Sequence, residues 1–338
     1  MRKSLSLIVW ISLLTLQPSV LARNPQDTFE FASRRATEAT DIFSSGPVEI
    51  RAKFHLYTVA GQVNGTYYYA QLSKEQLRVE IESPKFSETI MERDGEQYIV
   101  RSRDIEPWAI WSVRHLVRLA HSVSPDPLMS QMNSSPQNGR GLNCFAIERR
   151  PNSPFEYAGS KMCFDVATGV LVSAEWSLNT DDDKREYSDF QQTNGKYYPR
   201  TMRRIRNGKL LAEVDVESIS SAPVDKALFV PPTNASQQPV CRKFQPADAK
   251  YYEKYYSIRS SHTSGSTVIG GLVDELGNVQ KAEIQESASD ELDKLALNAL
   301  RQIHLSPAKC DGKRIPSFFE FQMWFGPSPH PDSFFSFP

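Results

Sequence analysis

From Pro47 to about Ser220, apolar and polar residues alternate with a period of two, the mark of strands that bury one face and wet the other. Candidate strands in the first half cover 48–58, 66–72, 77–82, 88–93 and 97–101, separated by Gly61, Asn64-Gly65, Ser83-Pro84 and Asp94-Gly95. Asp94-Gly95 predicts a two-residue hairpin, because both central positions of a type I′ turn need positive φ. At Pro107 the period changes. Ile110, Val113, Leu116, Val117 and Ala120 recur at three and four residues and predict one amphipathic helix over about 109–122, with Trp108 and Trp111 at its start. The stretch 124–141, rich in Ser, Pro, Asn and Gly, reads as a loop. Strands resume over 144–149, 161–165, 170–177, 185–192, 197–206 and 209–220, with turns at Thr168-Gly169, Asn194-Gly195 and Asn207-Gly208.

About eleven strands with one helix and no βαβ alternation predict an α+β chain built on a curved antiparallel β-sheet, a half-barrel, with a covering helix. A second unit follows. Strands over about 266–274 and 279–285 turn around Gly277-Asn278, and a helix begins after Ser287 or Ser289 as N-cap, with Asp290 and Glu291 suited to its positive end. Its apolar face is Leu292, Leu295, Ala296, Ala299, Leu300 and Ile303, and a third strand over 317–325 completes a β-β-α-β order. Between the units, 231–246 is rich in Pro, Gln, Ser and Asn and reads as the boundary. The expected organisation is a signal peptide at 1–22, a β domain at 23–232, a linker at 233–250 and a small domain at 251–338.

The leader is read from Arg2 and Lys3, the apolar run 5–16, Pro18 and then Val20-Leu21-Ala22, which place cleavage after Ala22. Twelve residues fall short of the ~20 that span a bilayer, so a retained anchor is the alternative. Export implies a compartment in which disulfides persist. The spacings of Cys144, Cys163, Cys241 and Cys310 form no metal motif, and three pairings are possible. Cys144 and Cys163 bracket a hairpin, and Cys241 and Cys310 flank the last unit, which favours those two bridges. The chain carries 39 Lys plus Arg against 40 Asp plus Glu, so no charge excess recommends a nucleic-acid partner.

Two resemblances add to this. The segment 166–232 resembles the LolA/LolB-like periplasmic lipoprotein carriers in the turn from Asp165 to Gly169, a long hairpin, Tyr187-Ser188-Asp189-Phe190, Asn194-Gly195, Tyr198-Pro199 and a closing Phe229-Val230-Pro231-Pro232. It implies a periplasmic location and a half-barrel that holds a lipid or lipoprotein acyl chain, with the 109–122 helix as lid and Trp108 and Trp111 as ligand-binding residues. The alternative for both tryptophans is that they fill a core. The segment 266–325 is similar to the TonB family C-terminal domain in Gly271, Val273, Gly277, Val279, Ser287, Leu292-Asp293, Ala296-Leu297, Ala299-Leu300, Pro307-Ala308, Gly312, Ile315 and Phe325. This implies binding of an envelope partner, such as an outer-membrane receptor or transport protein, by addition of a strand beside the third strand, with Ile315, Phe319, Phe321, Met323 and Phe325 as partner-binding residues. A packed strand without a partner is the alternative. Aromatics usual in that family near the helix exit are replaced by Ile303 and Leu305. The 5–16 run is short, lacks His and precedes a folded domain, so energy transduction is not expected.

No catalytic motif is present: no GxSxG, HExxH, P-loop or GxGxxG follows a strand, and no enzyme activity, metal or cofactor is expected. His55, His115, His121, His262, His304 and His330 are scattered without ligand spacing and read as solvated or core histidines. Asp181-Asp182-Asp183 reads as a charged turn, with Ca²⁺ binding as the alternative. Arg200, Arg203, Arg204 and Arg206 read as a solvated strand face, with an anionic ligand as the alternative. A non-reducing peptide map is expected to return the Cys144–Cys163 and Cys241–Cys310 bridges, and other pairs or free thiols would refute that assignment.

Overall fold

The computed structural model describes residues 25–58, 61–119, 132–139, 141–149, 159–178, 181–247, 265–301 and 303–325. The expected signal peptide and cleavage site lie outside the described residues, as do His121, His262 and His330. Thirteen strands form one antiparallel sheet: β1 (Val48–Thr58), β2 (Gly61–Ser73), β3 (Gln76–Ser83), β4 (Phe86–Arg93), β5 (Glu96–Arg101), β6 (Met132–Gly139), β7 (Leu142–Arg149), β8 (Gly159–Asp165), β9 (Leu171–Leu178), β10 (Asp181–Thr193), β11 (Lys196–Arg206), β12 (Lys209–Ser220) and β13 (Ser236–Pro239). Their order across the sheet is β13-β5-β4-β3-β2-β1-β12-β11-β10-β9-β8-β7-β6. Neighbours in sequence are neighbours in space within β1–β5 and within β6–β12, whereas β5 and β6 lie at opposite ends of the sheet, β12 returns beside β1, and β13 crosses to pair with β5.

Period two decides which face each side chain meets. Tyr67 and Tyr69 of β2 face the main core, whereas Tyr68 and Ala70 face a smaller cluster on the opposite side. The main core is covered by α1 (Pro25–Thr40) and α2 (Trp108–Leu119). Ile110, Val113, Leu116 and Val117 of α2 lie in it, as the three-four spacing predicts. Helix α1 is an addition to the sequence reading. Phe29, Ala32, Ser33, Ala36 and Thr40 are all buried at helical spacing, and Phe29 meets Phe145 edge-on at 5.4 Å. Arg35 ties this helix to the sheet by donating to the Ala167 carbonyl at 2.9 Å.

Turn chemistry agrees with expectation at Asp94-Gly95, Asn194-Gly195 and Asn207-Gly208, where both residues of each pair have positive φ. Three readings need correction. Asn64-Gly65 is not a turn but the interior of β2, where Gly65 pairs with Phe54 of β1. A Cβ on Gly65 would stand 2.2 Å from Phe54 Cζ, so the missing side chain is what lets the ring lie across the strand. The stretch 132–139, read as loop, is edge strand β6 paired with β7. Its polar sequence shows no alternation, but ladder pairing uses the backbone and needs none. Asp181–Asp183 begins β10 rather than forming a turn, held in register opposite Leu178, Ser177 and Trp176 of β9.

The segment expected to be a linker is also structured. After β12 the chain crosses the outer face, burying Val224 and Phe229 against Ala70 and Met91. Arg78 and Arg93 donate to the carbonyls of Leu228 and Phe229 at 2.9 and 3.2 Å. β13 then pairs with β5, and β14 (Phe244–Gln245) joins β17 (Lys309–Cys310) and β18 (Lys313–Arg314) in a small sheet. Both expected disulfides are present: Cys144–Cys163 spans directly paired positions of β7 and β8, and Cys241–Cys310 anchors the strap to the last unit.

That unit contains β15 (Gly265–Val273), β16 (Val279–Glu286), α3 (Asp290–Arg301) and β19 (Ser317–Phe325), with sheet order β16-β15-β19. Ser289 caps α3, its Oγ accepting from Leu292 N at 3.3 Å. Leu292, Ala296 and Leu300 pack on Ile269, Val273, Phe319, Met323 and Phe325. The Gly65→Ala variant is expected to lose about 1–3 kcal/mol of stability through forced movement of Phe54 and of the Glu82 carbonyl, 2.3 Å from the same Cβ, readable by chemical denaturation; an unchanged midpoint would show that both give way freely.

Candidate functional site at the domain joint

β19 pairs with β15 along its whole length, from Gly265 opposite Phe325 to Val273 opposite Ser317. Its other edge meets no strand among the described residues. The residues expected to contact a partner are divided by this arrangement. Phe319, Met323 and Phe325 point under α3 and are core. Phe319 lies across Gly271, where a Cβ would stand 2.4 Å from the ring, so these two positions depend on each other. Ile315 is partly buried against the same core, and its N–H donates to the Ala308 carbonyl at 2.9 Å. The side chain of Phe321 lies outside the described residues. What β19 offers a partner is therefore its main chain.

The tryptophans expected to bind a ligand form a stack. Trp108 and Trp111, one turn apart on α2, have ring centroids 4.7 Å apart and nearly parallel planes, and Trp111 continues onto His115 at 3.5 Å. The guanidinium of Arg204 lies 4.8 Å from the Trp108 ring and 5.4 Å from that of Trp111. Arg204 corrects the solvated-face reading of β11: it is 5% exposed, grips Asp183 of β10 with two nitrogens and donates to Ser112 Oγ at 2.7 Å. It falls in register with buried Tyr198 and Met202, a signal that period two carries. Arg200 and Arg203 do face outward, Arg203 beside Glu213.

Around this stack the two domains meet through charges. Arg103 pairs with Glu283 of β16, Lys281 Nζ lies 3.0 Å from Asp104, and Arg206 lies 3.6 Å from Glu286. The Trp108 N–H, unused at a helix start, donates to Gln285 Oε1 at 3.0 Å. Behind it, Glu88 pairs with Arg101 and Arg114, and Arg114 also holds Glu106 at 2.6 Å. Burial pushes the Glu106 carboxyl up to about 7 against the opposing pull of Arg101 and Arg118, and lowers Arg114 to about 10. Burial also pushes His115 down to about 3 although its ring nitrogen bonds the Trp111 carbonyl, so it is a neutral imidazole and not a proton switch near neutrality.

The sulfurs of Cys241 and Cys310 near Asp311 are bonded to each other rather than available to a metal. Among the described residues no helix is long and apolar enough to cross a membrane. Replacing Arg204 by Met is expected to cost about 3 kcal/mol by leaving Asp183 unpaired, the low end for a broken buried pair because Asp183 keeps 23% of its side-chain surface exposed. Denaturant midpoints measure it, and a loss below about 0.5 kcal/mol would show that the pair behaves as a surface one.

The comparisons with known proteins follow this division. Residues 256–325 match the family described as Gram-negative bacterial TonB protein C-terminal. No curated protein matches the chain. Among solved structures, the chain is similar to a LolA superfamily protein from Nitrosomonas europaea, at 9% identity and a TM-score of 0.37 over 59% of this chain and 96% of that one. It is similar to a DUF1329 family protein from Desulfovibrio piger, at 13% identity and a TM-score of 0.40 over 61% and 98%. The MucA/MucB complex of Pseudomonas aeruginosa is a further similar structure, at 13% identity and a TM-score of 0.30 over 73% of this chain and 81% of that one. The family match thus falls mainly on the β15-β16-α3-β19 unit.

Proposed function

We propose that this is a non-catalytic protein of the cell envelope whose C-terminal domain binds a partner protein by strand addition along β19. The observation that carries this reading is the open edge of β19 in a unit that matches the TonB C-terminal family. An extended peptide laid there would gain main-chain hydrogen bonds along nine residues. Because Phe319, Met323 and Phe325 are committed to the core, affinity would come from backbone pairing, and specificity from the outward side chains of the strand. Residues 251–338 carry 8 basic and 11 acidic groups, so long-range attraction contributes little.

A second reading, a periplasmic carrier of a lipid or acyl chain, draws on the apolar face of the large sheet, where Phe54, Phe145, Phe164 and Met202 are fully or almost fully buried. That face is filled by α1 and α2, so a carried chain would have to displace one of them. Trp108 and Trp111 lie on Arg204 and serve the domain joint in either reading. A photo-crosslinking residue in place of Phe318, partly exposed on the face of β19 opposite Phe319, is expected to yield an adduct with one discrete envelope protein. The adduct should disappear when excess peptide copying 317–325 is added. Diffuse labelling that ignores the peptide would overturn strand addition, and lipid retained in native mass spectrometry would favour the carrier.

A further inference from the structure

Arg101 stands against Glu88, Arg114 against Glu106, Arg204 against Asp183, Arg103 against Glu283, Arg206 against Glu286 and Lys281 against Asp104. Six cations thus meet six carboxylates, Arg118 adds a positive charge beside Glu106, and Glu320 of β19 brings a carboxyl with no ion-pair partner of its own among the described residues. Its Oε2 is buried and accepts no hydrogen bond among the described residues. Arg204 and Arg206 of β11 attract it, while Glu286 of β16 and Glu106 of the segment before α2 repel it. Each arginine already serves a carboxylate of its own, and the neighbouring His115 of α2 is neutral. Burial outweighs these charges and holds the Glu320 carboxyl well above the usual range, as it does Glu106 less strongly.

We propose that the joint is a pH-operated clasp: the C-terminal sheet stays seated on the first domain while Glu320 is a neutral acid, and it lifts away when that carboxyl ionises. In the open state Glu320 is solvated and titrates near the ordinary ~4.3 of a glutamate. The closed state binds the proton more tightly, so closure is complete below that value. Above it, each pH unit moves the closed-to-open ratio about tenfold toward open until the closed-state value is passed. Opening is a rotation rather than a separation. β13 remains on β5 as far as Pro239, and Cys241, two residues on, is bonded to Cys310 of the C-terminal unit. The pivot is thus the Pro239–Cys241 stretch, with the Val240 N–H on the Gly95 carbonyl at 2.9 Å. Opening uncovers the first turn of α2, the Trp108–Trp111 stack and the Glu283 and Gln285 side of β16, a surface separate from the β19 edge.

The native pair Lys281–Asp104 spans the joint at 3.0 Å, and Lys53–Glu217 lies within the first domain at 2.5 Å. A zero-length carboxyl-activating reagent applied to the full chain reports the ratio of the two crosslinks, the second correcting for the reagent's own pH dependence. The ratio is expected to fall as pH rises above the ordinary glutamate range in the unaltered protein and to stay flat in Glu320→Gln. A flat ratio in the unaltered protein, or an equally steep fall in Glu320→Gln, overturns the clasp. Should the variant fail to fold, a ¹³C carboxyl titration of Glu320 in the unaltered protein decides instead. A midpoint raised above the ordinary ~4.3 of a glutamate supports the proposal, and one at or below that value overturns it.

Discussion

An open sheet has two faces and two edges, and an apolar face cannot be left in water. Burying the floor of this thirteen-stranded sheet is the constraint from which the rest of the first domain follows. Helices α1 and α2 cover one face, at roughly 25 cal/mol for each Å² of apolar surface removed from solvent. The strap after β12 covers the other where β2, β4 and the strap meet through Ala70, Met91 and Phe229. The same strap ends as β13, whose four residues occupy the edge of β5 that would otherwise be open to pairing. A segment whose composition looks like a tether thus closes an edge, covers a face and delivers the chain to the second domain.

The second domain is attached by different physics. Its own core is apolar and complete beneath α3, so its other face had polar side chains to spare for the joint. Charges brought together at such a surface lose water, and each must recover its solvation from an opposite charge or a hydrogen bond. Arg204 recovers it three times over, from Asp183, Ser112 and the faces of two indoles. Glu320 does not, and a carboxyl in that position lowers its cost by keeping a proton. Apolar packing inside each unit and titratable contacts between them give a molecule whose domains are stable while their relation to one another is adjustable.

Several features were legible residue by residue. Asp94-Gly95, Asn194-Gly195 and Asn207-Gly208 marked hairpins because positive φ at two successive positions is a local property of those residues. The same signal stood unread at Asp311-Gly312, which turns β17 into β18. α1 carries a local signature too, in the spacing of Phe29, Ala32, Ser33, Ala36 and Thr40. Asn64-Gly65 carried the turn signal without making a turn, because Phe54 across the ladder uses the space that glycine leaves. No local rule separates that case from a hairpin.

The sequence by itself determined the elements and their inward faces, since period two, period three to four, turn residues and cysteine order are properties of neighbours along the chain. Only the tertiary structure decided that polar stretches 132–139 and 236–239 are strands, because backbone pairing is blind to side chains and depends on which edge lies within reach. It alone decided that Phe319, Met323 and Phe325 are core and not contact surface, since which face of β19 is covered depends on where α3 lands. And it alone decided the state of Glu320. The charge of a carboxyl is set by the water it loses and the cations it meets, and here those come from β11, β16 and the entrance to α2, at least 34 residues away along the chain.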